Sequence, residues 1–170
     1  LFAHPDDMAV LAGGSFAQAD FAAVTYLTRG EKGRQHCGHL REDELILARA
    51  KEEENSCSVL EVQKCNIWDY PDGGLRNVDE DEVVKKIVAE IIDLQPTTMV
   101  IFAEDGFTGH WDHIMAHRWG RQAAILAREV GWQGELVAAT MPDEMVIHVA
   151  RSSRRKTVGV YCQEEFGDSG

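Results

Sequence analysis

The chain has 170 residues, 44% hydrophobic and 27% charged, enough apolar material for one sizeable core. Lys and Arg total 17 against 29 Asp and Glu, and the formal net charge of −12 argues against binding phosphate backbones. Apolar runs fall far short of the roughly 20 residues a membrane helix needs, and the composition excludes disordered and fibrous classes.

Strand and helix patterns alternate along the chain. Leu1-Phe2-Ala3 reads as the end of a buried strand; no Met precedes it, so the natural N-terminus is expected upstream and a signal peptide or anchor is left open. Residues 9–18 read as a helix and residues 21–27 as a β-branched and aromatic strand. A polar loop over 28–38 carries Gly30, Gly33 and Gly38. Residues 40–57 are rich in Glu, Leu, Ala, Lys and Arg, all good helix formers. A strand over 62–68 and a turn-rich loop over 69–77 follow. Val83, Val84, Ile87, Val88, Ile91 and Ile92 recur at helical spacing until Pro96. Residues 99–103 form a continuous apolar run, the mark of a strand buried on both faces. Residues 104–109 read as a loop, 112–130 as a helix, and 136–139 as a strand. Two further strands are expected at 145–149 and 157–161.

This alternation predicts an α/β fold with a mostly parallel sheet flanked by helices. The absence of repeats, low-complexity tracts and linkers predicts a single domain over residues 1–170. The cysteines Cys37, Cys57, Cys65 and Cys162 show no CxxC spacing, so no disulfide framework is indicated and a reducing, cytoplasmic compartment is expected.

Two motifs carry chemistry. His4-Pro5-Asp6-Asp7 follows a buried strand and precedes a helix, the edge of an open α/β sheet where sites form. A neutral His beside ionised Asp is a donor set for a divalent metal, and two adjacent carboxylates point apart and can take different roles. Alone, the motif reads equally well as a helix cap and a packed histidine. Gly109-His110-Trp111-Asp112-His113 follows the second buried strand and opens another helix. His110 and His113 can share a face, and Asp112 can fix an imidazole tautomer. Together the motifs bring three imidazoles and three carboxylates to one sheet edge, more than two helix caps require.

The opening Leu1-Phe2-Ala3-His4-Pro5-Asp6-Asp7 resembles the AHPDD signature of the LmbE-like, or PIG-L, zinc-dependent de-N-acetylases. Residues Asp105 to His113 resemble that family's second motif, GHPDH. Thr25-Tyr26-Leu27-Thr28-Arg29-Gly30-Glu31, Leu40-Arg41-Glu42-Asp43-Glu44-Leu45 and Tyr70-Pro71-Asp72-Gly73-Gly74-Leu75 are similar to intervening family segments in the same order, so the resemblance covers roughly residues 1–130. It implies a Rossmann-like fold with one Zn²⁺ per chain, held by His4, Asp7 and His113. It implies Asp6 as general base, His110 facing the developing oxyanion and leaving amine, and Asp112 orienting a histidine. Arg41 and Asp72 match positions that contact sugar hydroxyls. Met8 stands where the family usually has Glu, and Trp111 replaces the usual Pro; both bear on substrate more than on metal.

Three protein ligands leave a fourth metal position for water, as catalysis requires. Fe²⁺ suits the same His/Asp set. The implied activity is removal of acetyl from an N-acetylglucosamine-type sugar or conjugate, a small-molecule substrate. Two rivals remain open: an amidase or esterase on a non-sugar substrate, and a metal- or carbohydrate-binding protein with little turnover. The sequence leaves open whether the chain forms a homo-oligomer.

Other features weigh less. His36-Cys37-Gly38-His39 offers three ligand types but no distant fourth ligand and reads as a loop at the mouth of the site. Arg29-Gly30-Glu31-Lys32-Gly33 lacks the ending of a phosphate loop. His117 reads as a surface or packed residue, and Arg151, Arg154, Arg155 and Lys156 as a solvated turn.

Overall fold

The computed structural model describes residues 1–33 and 40–140. The His36-Cys37-Gly38-His39 motif, the Arg151–Lys156 basic run and the strands expected at 145–149 and 157–161 lie outside the described residues. The elements run α1 (Asp7–Phe16), β1 (Ala23–Thr28), α2 (Glu42–Val59), β2 (Lys64–Tyr70), a 3-10 turn (Leu75–Asn77), α3 (Glu80–Leu94), β3 (Thr98–Phe102), the one-turn α4 (Gly106–Gly109), α5 (Trp111–Glu129) and β4 (Glu135–Ala139). The strand-helix alternation legible in the sequence is the observed order.

β1 pairs with β2 and β3 with β4, both in parallel. The N-terminal residues join the two ladders. Phe2 bridges Tyr26 in parallel, its N–H donates to Thr25 O at 2.9 Å, and the Leu1 amino group donates to Val100 O at 2.8 Å. The resulting lateral order is β2, β1, residues 1–3, β3, β4. The chain winds outward in one direction to β2 and then in the other to β4, so it reverses between residues 1–3 and β3. Ligands in such sheets collect in the crevice outside the carboxyl ends of the strands that flank this reversal.

Packing follows the sequence pattern. α3 buries Val83, Val84, Ile87 and Ile91 on one face, and its start is capped by Asp79, which accepts from Asp81 N and Glu82 N. α5 packs on α3 and β3, and its buried residues include Ala116, Trp119, Gly120, Ala123, Ala124 and Ala127. A Cβ on Gly120 would lie 2.8 Å from Ile101 Cγ2, so this glycine sets how closely helix and strand approach. Phe2, Tyr26, Leu27, Phe102, Trp119 and Trp132 fill the core, and burial of each large side chain contributes about 1.5–3 kcal/mol. Met8, the departure from the family's usual Glu, is fully buried in this core. No helix among the described residues is long and apolar enough to cross a membrane.

α1 starts at Asp7, two residues earlier than expected from residues 9–18, because the chain turns from strand to helix within His4-Pro5-Asp6. The segments over 69–77 and 104–109, read as loops, each contain one helical turn. Such turns are too short to leave a periodic signal.

Candidate metal centre

Both ligand-rich motifs leave the sheet at the reversal. After Ala3 the chain turns sharply, with Asp6 at φ 148°, a conformation L-residues rarely adopt. Asp6 makes no side-chain cap to α1. Its carboxylate Oδ2 instead meets the Arg49 guanidinium at 2.8 Å, while Arg49 also donates to Pro5 O at 2.6 Å. After β3, Gly106 and Phe107 both have φ 66° and fold the loop back. That turn aims the Gly106 carbonyl at His113 Nδ1, 2.9 Å away. A Cβ on Gly106 would lie 2.9 Å from His113 Cβ, so the close approach requires glycine. His110 caps α5, its Nδ1 accepting from Asp112 N at 3.2 Å.

Three donor groups converge. His4 Nδ1 lies 3.1 Å from His113 Nε2 and 3.5 Å from Asp7 Oδ2, and His113 Nε2 lies 3.3 Å from Asp7 Oδ1. Metal–nitrogen bonds of about 2.0–2.1 Å in a tetrahedral site give ligand–ligand edges of roughly 3.3 Å, so these three groups fit one small divalent ion. The opposite side of each imidazole is already engaged. His113 Nδ1 donates to Gly106 O, which leaves Nε2 with the lone pair. His4 Nε2 lies 3.2 Å from Asp72 Oδ1 and 3.3 Å from Asp112 Oδ2, the carboxylate–histidine arrangement typical of metal ligands. His113 also stacks on Phe102, with ring centroids 4.1 Å apart. The His110 ring stands 4.9 Å from that of His4, and its donor atom falls within 4.8 Å of those of His4 and His113. His110 is exposed where His113 is buried.

Charge in the cluster is lopsided. Burial opposes a charged His4, but hydrogen bonds to Asp112, Asp7 and Asp72 overcome this and lift its pKa from 6.5 to about 11. Burial pushes Asp7, Asp72 and Asp112 upward, and contacts with His4 more than reverse it, holding all three below the ordinary carboxylate range. Burial lowers the His113 pKa. Asp6, though largely exposed, is pushed upward by partial desolvation against the cluster, opposed by the pull of Arg49. Three buried carboxylates thus surround one imidazole, an arrangement that favours positive charge at this point.

The loops that resembled family segments support this cluster. Asp72 Oδ2 accepts from Lys32 N at 2.7 Å, and Asp72 N donates to Glu31 Oε1 at 2.8 Å. Asp112 accepts from Gly73 N at 2.6 Å and from Leu75 N at 3.3 Å. Asp72, expected at sugar hydroxyls, therefore faces His4. Arg41, expected there too, is exposed at the start of α2, its guanidinium on Asp43 and Glu44. Arg49, which the sequence reading passed over, is the arginine that reaches the cluster. No local pattern in α2 singles it out; in the fold Gly30 and Gly33 lie against its guanidinium, where an added Cβ would come within 2.5 Å and 2.3 Å. His117 Nδ1 lies 2.8 Å from Phe102 O and pins α5 to the end of β3. Trp111 is half exposed beside His110, with Arg76 4.6 Å above its ring.

Comparison with known proteins gives the chain's relatives. The family described as PIG-L: GlcNAc-PI de-N-acetylase matches residues 1–124. A 1D-myo-inositol 2-acetamido-2-deoxy-alpha-D-glucopyranoside deacetylase of Catenulispora acidiphila is 31% identical over 193 residues, covering 98% of this chain and 59% of its own. The chain spans about three fifths of the length of the curated relatives it matches. Among solved structures, the N,N'-diacetylchitobiose deacetylase of Pyrococcus horikoshii superposes with a TM-score of 0.66 at 21% identity, covering 81% of this chain and 58% of that one. GalB, a 4-carboxy-2-hydroxymuconate hydratase from Pseudomonas putida, superposes with a TM-score of 0.65 at 24% identity, covering 81% and 60%. A deacetylase and a hydratase thus share this fold, which by itself does not select a reaction. The match over residues 1–124, with its ligand-rich motifs at one sheet reversal, decides the relationship: the chain belongs to the PIG-L, or GlcNAc-PI de-N-acetylase, family.

Proposed function

We propose that this protein is a metal-dependent hydrolase that removes the acetyl group from a 2-acetamido sugar carried on a conjugate. The observation that carries the reading is the convergence of His4 Nδ1, His113 Nε2 and the Asp7 carboxylate, with the Asp6 carboxylate one residue away on a strained backbone. These three groups would hold one divalent ion, Zn²⁺ or Fe²⁺. When bound, such an ion would lower the pKa of a water and offer positive charge to the carbonyl oxygen.

The chain's own groups account for the proton movements. Asp6 Oδ2 is fixed by Arg49, leaving Oδ1 to take a proton from the attacking water and deliver it to the departing nitrogen. One water is consumed, the C–N bond breaks, and acetate and the amino sugar leave. His110 Nδ1 is occupied as the acceptor at the start of α5, so the proton sits on Nε2, which donates to the developing oxyanion. Asp112 and Asp72 hold His4 Nε2–H so that Nδ1 keeps its lone pair. Free Cys57 and Cys65 suit a reducing, cytoplasmic setting.

Acetate release tests the reading. The metal-loaded protein is incubated with N-acetylglucosaminyl-inositol and with N,N'-diacetylchitobiose, and acetate and free amine are counted. The expected result is equimolar acetate and amine from at least one of them, lost in Asp6→Ala. Stoichiometric metal with no acetate from either substrate overturns it.

A further inference from the structure

A second cluster of ligand atoms lies outside the proposed hydrolytic centre. Glu53 and Cys57 are one turn apart on α2, and Cys65 stands on β2. Glu53 and Cys57 are buried, Cys65 is exposed, and a ligand atom from each lies within 4.8 Å of the others. The edge from Cys57 Sγ to Glu53 Oε1 is already 3.4 Å. With zinc–sulfur bonds of about 2.3 Å and zinc–oxygen bonds near 2.0–2.2 Å, tetrahedral edges run roughly 3.5–3.8 Å, so small side-chain shifts complete the triangle.

The surroundings make this more than proximity. Glu53 is 2% exposed, and among the described residues no Lys, Arg or His pairs with it. Its partners are the Tyr26 hydroxyl and the Cys57 thiol, both donating to Oε1. A buried carboxylate with no cation partner is costly, and two sulfur atoms beside it are unnecessary for satisfying a tyrosine. A groove of about 420 Å³, bordered by Ala50, Glu54, Ser58 and Gln63, opens on both cysteines.

We propose that Glu53, Cys57 and Cys65 form a second metal site, for a thiophilic divalent cation of the zinc and cadmium class, that clamps α2 to β2. Two sulfurs and one carboxylate select against Mg²⁺ and Ca²⁺, which take oxygen donors throughout. Coordination as thiolates sends both thiol protons to solvent, and the groove leaves the fourth position to water. Arg49 lies two turns before Cys57 on the same helix, so the clamp would stiffen the helix that carries it.

The test is a Cd²⁺ titration of the purified protein, kept reduced by a phosphine and followed by sulfur-to-metal charge-transfer absorption. The His4, Asp7 and His113 centre has no sulfur donor and is silent in this band. One equivalent of thiolate-bound Cd²⁺ is expected, retained in His113→Ala and in the double variant Cys37→Ser/Cys162→Ser. It should be lost in Cys57→Ser and also in Cys65→Ser, whose exposed position keeps the fold intact. No band in the wild-type protein, a band that survives in Cys65→Ser, or one lost in the double variant overturns the site. Thiol counting that finds Cys57 and Cys65 joined as a disulfide under the same conditions overturns it as well. None of these readouts depends on deacetylation, so failure here leaves the proposed hydrolase reading untouched.

Discussion

The Arg49 guanidinium holds Asp6 at 2.8 Å and the Pro5 carbonyl at 2.6 Å, tying the middle of α2 to the strained turn that carries the proposed base. Arg49 is largely buried while Asp6 is largely exposed, so the pair positions the carboxylate more than it stabilises the fold. Arg49→Ala is expected to lower kcat about 10–100-fold through misplacement of Asp6 while bound metal stays stoichiometric. Arg49→Lys should recover only part of the loss, since the shorter lysine does not place its nitrogen where Nη2 meets both oxygens. An unchanged kcat in Arg49→Ala would remove Arg49 from this role.

Metal content separates the histidines. His4→Ala and His113→Ala should each lose the ion, whereas His110→Ala should keep it and lose about 10²–10³ in turnover, the usual effect of removing one oxyanion donor. Loss of metal in His110→Ala with retention in His113→Ala would exchange their roles. Asp6→Ala should retain metal and lose about 10²–10⁴ in turnover.

Asp112 accepts two backbone N–H groups and also faces His4 Nε2. Asp112→Asn keeps the size but offers an amide where a carboxylate held the ring. Metal affinity is expected to fall about 10–100-fold, measured by competition with a chelator of known strength.

Gly106 has φ 66° and stands against the His113 Cβ. Gly106→Ala should destabilise the protein by at least about 1 kcal/mol and reduce bound metal, because the added methyl displaces His113. Normal melting temperature and full metal occupancy would show that the loop relaxes without consequence.

Protons and metal compete at His4. Its pKa in the metal-free cluster is raised from 6.5 to about 11, so the stability it contributes is complete below pH 6.5 and is lost as pH rises toward 11. The lowered carboxylates of Asp7, Asp72 and Asp112 act in the opposite sense, contributing above the ordinary Asp range and losing that contribution in acid. The melting temperature of metal-free protein should therefore fall on the alkaline side of pH 6.5, and bound metal should remove most of that fall. Metal uptake near neutral pH should release about one proton from His4, with affinity rising about tenfold per pH unit. Calorimetry in buffers of different ionisation enthalpy measures the release, and an affinity flat from pH 6 to 8 would contradict it.

Local sequence alone determined the strand and helix alternation, because period and composition report which face each segment buries. It also marked His4, Asp6, Asp7, His110, Asp112 and His113, since both motifs sit where a buried apolar run meets a helix start. Tertiary structure decided what no local pattern encodes. It put Asp72 against His4, because the loops after β1 and β2 lock together through Glu31, Lys32 and Asp72. It brought Arg49 to Asp6 and left Arg41 on Asp43 and Glu44, because the facing side of α2 is fixed by packing and not by its charge-rich sequence. It brought Cys65 of β2 beside Glu53 and Cys57 of α2, because helix-on-strand packing joins residues that the chain keeps one turn or more apart.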